Sequence, residues 1–211
     1  MHYLFFRSIG NTKFEGCTIN PQNSYIYTDR VNVDFINCTF NCSEGKGIQV
    51  YGDNSGWESV INVTDCEFTA AKVGNTWDGK PVTAIDINST GAKFTVNITN
   101  STATGFGKGL FSNSQLWNIK GGEANVTVTI DNNVAYPFFT QDESTGEYNV
   151  TTAQGIKDVL TLAGAAGAGS TTINIATDID LNGVEWTPIQ ADGYNGADIV
   201  IVNGNGKTIT G

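Results

Sequence analysis

"VDFINCTF" (33–40), "INVTDCEF" (61–68) and "VNITNSTA" (96–103) are three versions of one pattern. Val33, Ile61 and Val96 share a position, and Phe35, Val63 and Ile98 share the next apolar one, two residues on. Asn37, Asp65 and Asn100 then occupy a turn, followed by Cys38, Cys66 and Ser101. An earlier stretch, "FEGCTI" (14–19), sets Phe14, Gly16, Cys17 and Ile19 in the same frame. The small-residue positions 17, 38, 66 and 101 lie 21, 28 and 35 residues apart. Self-similarity at such periods marks a repeat architecture.

A second series falls between the copies of the first: "SYIYT" (24–28), "GIQVYG" (47–52), "TAIDINS" (83–89) and "SQLWNIKG" (114–121). It alternates with period two, Ile48 and Val50 against Gln49 and Tyr51, Ile85 and Ile87 against Asp86 and Asn88. That is the pattern of half-buried strands. Residues 1–150 show no 3.6-residue stripe. A 21-residue repeat is also shorter than the roughly 40 residues of a propeller blade. The sequence therefore predicts an all-β chain and a parallel β-helix, a solenoid in which each coil stacks its strands on those of the next. Growth of the period is insertion of loops, placed at "GDNSGWES" (52–59) and "AKVGNTWDGKP" (71–81).

Coils are expected over 1–137, with Val126, Val128 and Ile130 facing inward in the last strand pair. A linker is expected over 138–150, where acidic and turn residues break the pattern. The segment 151–211 starts a second solenoid unit. Its opening, "TTAQGIKDVLTLAG" (151–164), predicts one short capping helix over 152–164. Thr152 is placed as its N-cap, Gly164 at its end, and Ile156, Val159, Leu160 and Ala163 on one face. Strand alternation resumes at "TTINIATDIDL" (171–181), "EWTPI" (185–189) and "ADIVIVNGNGKTITG" (197–211). The chain opens on "YLFF" without a cap and stops in mid-pattern, as expected of an internal piece of a longer protein.

Composition agrees with many short strands and turns. Only 15% of residues are charged, 39% are hydrophobic, and 25 are Gly. The net charge of −10, with Arg7 and Arg30 as the two arginines, argues against a nucleic-acid partner. No apolar run reaches the length of a membrane span, so no membrane insertion is expected. "MHYLFFRSIG" lacks a basic n-region and a long apolar core, so it does not read as a signal peptide.

The repeated "FxNCTF"-type turn, "VNITNSTATGF", "LWNIKGG" and "INIATDIDL…EWTPI…NGNGKTITG" resemble the right-handed, pectate-lyase-like β-helix proteins found among surface and secreted proteins of gut anaerobic bacteria. The resemblance covers nearly the whole chain. It implies a right-handed solenoid and an extracellular or cell-surface location. The class includes polysaccharide lyases, glycoside hydrolases and adhesins. No catalytic motif of those enzymes matches here, so no catalytic residue is carried over.

The cysteines decide little chemistry. Cys38 and Cys42 alone have zinc-ligand spacing, no second pair exists, and His2 is the one histidine, so neither a metal nor another cofactor is expected. Cys17, Cys38 and Cys66, with Ser101 in the fourth place, read as a structural ladder of buried free thiols. The secretion implied by the resemblance keeps a disulfide open.

Among the acids, Asp86 sits on the outer face of its strand, and Asp53, Glu58 and Asp78 fall in the insertions. Glycosidase chemistry needs two carboxylates about 5–10 Å apart. Tyr25, Tyr27 and Tyr51 alternate outward, Trp57 and Trp77 sit in the insertions, and Trp117 follows. Exposed aromatics beside polar groups are how many sites hold sugar rings. The binding set is therefore Tyr27, Tyr51, Trp57, Trp77 and Asp86, and the partner a polysaccharide or host glycan. The function expected is a non-enzymatic scaffold or adhesin, with a polysaccharide lyase or glycoside hydrolase fragment and a purely structural stalk as alternatives. Sequons at Asn37, Asn41, Asn62, Asn88, Asn97, Asn100, Asn125 and Asn149 read as turn and ladder asparagines, with Asn37 and Asn100 in turns of the coil. "GNGKT" (204–208) lacks the first Gly of a phosphate loop, since Ile201 stands there.

Overall fold

A computed structural model of the chain describes residues 4–6, 10–21, 26–28, 32–53, 55–76, 79–109, 112, 114–163, 169–182 and 199–211. The chain divides into two compact units, Met1–Asn132 and Asn133–Gly211. It is mostly β, and its sheets are largely parallel.

In the first unit the strands follow one another in threes. β1 (Leu4–Phe6), β2 (Asn11–Glu15) and β3 (Thr18–Ile19) form one set. β4 (Ile26–Thr28), β5 (Asn32–Ile36) and β6 (Thr39–Cys42) form the next, then β7 (Ile48–Gly52), β8 (Glu58–Thr64) and β9 (Glu67–Ala70). β10 (Ile85–Ser89), β11 (Lys93–Thr99) and β12 (Thr102–Thr104) follow, and β13 (Trp117–Gly121) and β14 (Val126–Ile130) close the series. Each of the first four sets gives one strand to each of three sheets, and β13 and β14 extend the first two, in the orders β1-β4-β7-β10-β13, β2-β5-β8-β11-β14 and β3-β6-β9-β12. The neighbouring strands run parallel.

Register explains the repeat in the sequence. Val33 pairs with Ile61, Ile61 with Val96 and Val96 with Val128. Phe14 pairs with Phe35, Phe35 with Val63, and Val63 with Ile98. Parallel neighbours lie about 4.8 Å apart, so like side chains stack on like and a row of inward residues becomes a continuous core. Phe35, Phe40, Phe68, Ile48, Ile61, Ile85 and Ile87 are all fully buried. Phe40 and Phe68 stack with ring centroids 4.3 Å apart and planes 11° from parallel. Each such side chain contributes about 1.5–3 kcal/mol through burial.

The turn between the second and third strand of a set has one backbone form. Gly16, Asn37, Asp65 and Asn100 have φ of 63°, 50°, 53° and 45°. This left-handed region is open to Gly, Asn and Asp and strained for most other residues. The corner amides of Gly16, Asn37 and Asp65 donate to Ile36, Thr64 and Thr99 of the following set. Asparagines form polar ladders on outward positions: Asn62 Nδ2 donates to Asp34 at 2.7 Å, and Asn97 Nδ2 to Asn62 at 2.8 Å. At the corner, Asn100 Nδ2 donates to Asp65 at 2.6 Å.

The second unit holds β15 (Asn133–Tyr136), β16 (Phe139–Gln141), β17 (Tyr148–Val150), the helix α1 (Ala153–Ala163), β18 (Thr171–Ile175), β19 (Ile179–Asp180), β20 (Val200–Asn203) and β21 (Ile209–Thr210). β17, β18 and β20 pair parallel, as do β19 and β21. The expected linker over 138–150 is corrected here. β16 and β17 lie in it as an antiparallel pair, and the turn between them is closed by Asp142, which accepts from the amides of Ser144 and Thr145. The Ser144 hydroxyl, which also donates to this carboxylate, and then those amides hold the Asp142 carboxyl below its usual pKa. The division between the units correspondingly falls after Asn132 rather than after residue 137.

The helix starts where the capping signal puts it, with Thr152 Oγ1 accepting from the Gly155 amide at 3.0 Å. Val159 and Ala163 are buried against Val150, Ile173 and Ile175, with Ile156 and Leu160 packed at the edge. Gly155 belongs to the contact face: a Cβ there would stand 2.0 Å from the Phe138 carbonyl oxygen. Gly164 and the stretch 185–189 lie outside the described residues.

Candidate functional site

The outer face of the first sheet was the place to look for chemistry. Strand register aligns Gln49, Asp86 and Asn118 in one column, with Tyr51 beside Asn88 in the next, and pairs Tyr27 of β4 with Gln49. The expectation of a solvated Asp86 is overturned. Asp86 is 0% exposed. Its Oδ2 takes a hydrogen bond from Lys120 Nζ at 2.6 Å, and its Oδ1 accepts from Thr83 Oγ1 at 2.7 Å and from the Thr83 amide at 3.4 Å. Asn118, its neighbour in register, is also buried.

Two connecting segments cause this burial. Residues 81–84 run onto the sheet, with Val82, Thr83 and Ala84 fully buried, and Ala84 accepts the Ile48 amide at 2.8 Å. Residues 105–109 come back over the same region. Gly107 donates to Val82, Phe106 is buried, and a Cβ on Gly109 would stand 2.7 Å from Asn118 Cβ. The strand consequently begins at Ile85, two residues later than the alternation read from Thr83. A carboxylate removed from water requires a paired cation and filled hydrogen-bond positions, and Lys120 with Thr83 supplies both. With both oxygens so engaged, Asp86 is a fastening between β10, β13 and the 81–84 segment rather than a free acid or base.

The other acids do not gather around it. Asp53 is exposed. Glu58 belongs to β8, not to an insertion, and pairs at 3.2 Å with Lys93 of β11, both largely in solvent. Asp78 lies outside the described residues. Among the described residues, no group of three or more His, Cys, Asp or Glu is arranged to hold a metal ion.

Of the aromatics, Tyr51 and Trp57 are half-buried and bracket the turn that joins β7 to β8. Tyr27 lies in β4, while Tyr25 and Trp77 lie outside the described residues. Trp117 is not on the outer face. It pairs in register with Ile85 and is 5% exposed, so it belongs to the core. The structure thus keeps Tyr51 and Trp57 at one turn and removes Asp86 from the set.

The ladder of small residues has a shared bonding scheme. All four cysteines are free thiols. Cys38 Sγ donates to the carbonyl of Ile36 two residues back and reaches that of Phe14 in the preceding set, at 3.3 and 3.5 Å. Cys66 does the same with Thr64 and Phe35, and Ser101 with Thr99 and Val63. The position therefore calls for a small donor, which explains why Ser replaces Cys. Burial pushes the Cys42 thiol up to about 12 and the Cys66 thiol up to about 11, so neither is a ready nucleophile.

Lys120 and Thr83 escaped sequence reasoning. The one available signal was that Lys120 shares the outward phase of Asn118, one strand away from Asp86. Comparison of the chain with protein families, with curated proteins and with solved structures returns no match.

Proposed function

We propose that the first unit is a right-handed parallel β-helix and that the protein is a non-enzymatic scaffold of the cell surface or the extracellular space, binding neutral carbohydrate at the turn carrying Tyr51 and Trp57. The fold reading is supported by three parallel sheets fed in rotation by one chain. The binding reading rests on one observation: Tyr51 remains partly open, in register with Asn88 and in phase with Gln49, Trp57 is partly open at the far end of the turn that follows, and the acid of that sheet, Asp86, is tied to Lys120. Tyr and Trp offer an apolar face to a sugar ring and a polar edge to its hydroxyls. A net charge of −10 works against polyuronates, so neutral glycans are the class favoured.

A glycan array probed with the intact chain, and with Tyr51→Ala and Trp57→Ala, tests this. Binding to neutral glycans that falls at least tenfold in either variant is expected. Absence of binding by the folded protein removes the reading in favour of a structural stalk. Cleavage of any array polysaccharide would replace it with the enzyme alternative.

A further inference from the structure

We infer that the site carrying Tyr51 recognises an acetamido sugar, a neutral hexose bearing an N-acetyl group, through the side-chain amides of Gln49 and Asn88; the inference rests on the carbohydrate reading above. Three observations carry it. First, both amides are unengaged. Asn41, Asn62, Asn97 and Asn100 each donate to the neighbouring rung. Among the described residues, by contrast, no hydrogen bond is found to the side chains of Gln49, Tyr51 or Asn88, and all three are half-buried.

Second, the position beside Asn88 carries no side chain. The register of β10 on β13 shifts between Ile87 and Asn88, so that Asn88 pairs with Gly121 rather than with Lys120. The shift leaves Lys120 to reach Asp86 and sets a glycine next to the Asn88 amide, where a Cβ would stand 3.1 Å from Asn88 Oδ1. The cover over the sheet stops there too: Asp86 and Asn118 are buried, while Asn88 and Gly121 are half-buried. Third, the two amides flank Tyr51 from two directions. Gln49 precedes it by two residues in β7, about 7 Å along the strand, and Asn88 is its partner in register on β10, about 4.8 Å across.

An acetamido group matches this arrangement. It is planar, with its N–H and C=O directed oppositely. Each primary amide offers both a donor and an acceptor. With its plane on Tyr51, the group turns its N–H toward one amide and its C=O toward the other, and its methyl keeps to the apolar ring face. A hydroxyl in that place answers one amide and leaves the second without a partner. Neither amide is charged, which fits a neutral ligand.

Isothermal titration calorimetry of the intact chain with N-acetylated chitotriose and with cellotriose tests this. The two trisaccharides share a linkage and differ in acetamido against hydroxyl on the second carbon of each ring. The acetamido trimer is expected to bind about tenfold more tightly. Gln49→Met and Asn88→Leu keep the size of each side chain and remove its amide, and each should lower that preference to below about threefold. Neither amide has a partner to lose, so both variants should melt within about 2 °C of the wild type. Equal or tighter binding of cellotriose, or a preference that survives undiminished in either variant, would overturn the inference and leave the carbohydrate reading standing. So would binding of neither trimer by a chain that binds other neutral glycans on the array. Absence of binding on the array as well would remove the carbohydrate reading and this inference with it.

Discussion

Replacing Lys120 with Met tests whether the Asp86 pair is as buried as described. The Lys120 side chain is 17% exposed and Asp86 is 0% exposed. Lys120→Met keeps the length and apolar stem of the side chain and removes the ammonium 2.6 Å from Asp86 Oδ2. The carboxylate then stays in the interior with its charge uncompensated, and removal of one partner of a buried pair costs about 3–5 kcal/mol. Asp86→Asn is the gentler change. It leaves the cation, which has a path to water, and an amide that still accepts from Thr83 Oγ1, so a loss of about 1–2 kcal/mol is expected. Because the two groups interact directly, the double variant should lose less than the sum of the single losses. The assay is urea unfolding followed by Trp fluorescence, since Trp117 sits in the core on β13 next to the pair. With a slope of about 2–3 kcal/mol per molar urea, Lys120→Met should lower the midpoint by on the order of 1–2 M. A shift below about 0.3 M, or single losses that simply add, would refute the argument that the pair is desolvated and coupled.

Three further outcomes are expected. Gly155→Ala should lower the Tm of the second unit by the equivalent of about 1–3 kcal/mol, because its methyl meets the Phe138 carbonyl at 2.0 Å; a rise, following helix propensity alone, would count against the packing of α1. Asn62→Ala removes a ladder donor and acceptor at a half-buried site and should cost about 1–2 kcal/mol in urea unfolding, more than Asn41→Ala, whose rung to Asn20 is exposed; the reverse order would remove the ladder's energetic role. Cys66→Ser should be tolerated within about 1 kcal/mol, since Ser101 makes the same two bonds with a hydroxyl, whereas Cys42→Ser should cost about 1–3 kcal/mol, because no hydrogen bond to that thiol is found among the described residues; equal losses in thermal unfolding would contradict this account of the ladder.

The repeat was legible because parallel, in-register stacking returns each residue type to the same environment. The row Val33, Ile61, Val96 is a column in space, and the row Asn37, Asp65, Asn100 is a corner that requires positive φ. The N-cap at Thr152 was legible for a related reason: the donor it satisfies lies three residues away in the same chain. Strands of three residues on either side of an Asp142 turn were not legible. Acidic and turn residues outnumber the alternating ones there, and pairing with β18 across the sheet supplies what local pattern lacks.

Asp86 shows where such reading stops. Alternation correctly assigned it to the face opposite Ile85 and Ile87, but a face is solvated only where nothing lies over it. The covering segments, 81–84 and 105–109, have no periodicity of their own, and their position depends on hydrogen bonds such as Gly107 to Val82 that no spacing announces. Trp117 is the opposite case. It alternates in phase with Ile119, against Asn118 and Lys120, so its inward direction was available from the same rule that placed Ile85 and Ile87. Periodicity thus fixes which side of a sheet a residue takes. The inserted segments decide whether that side meets water, and hence whether a carboxylate there is a reagent or a fastening.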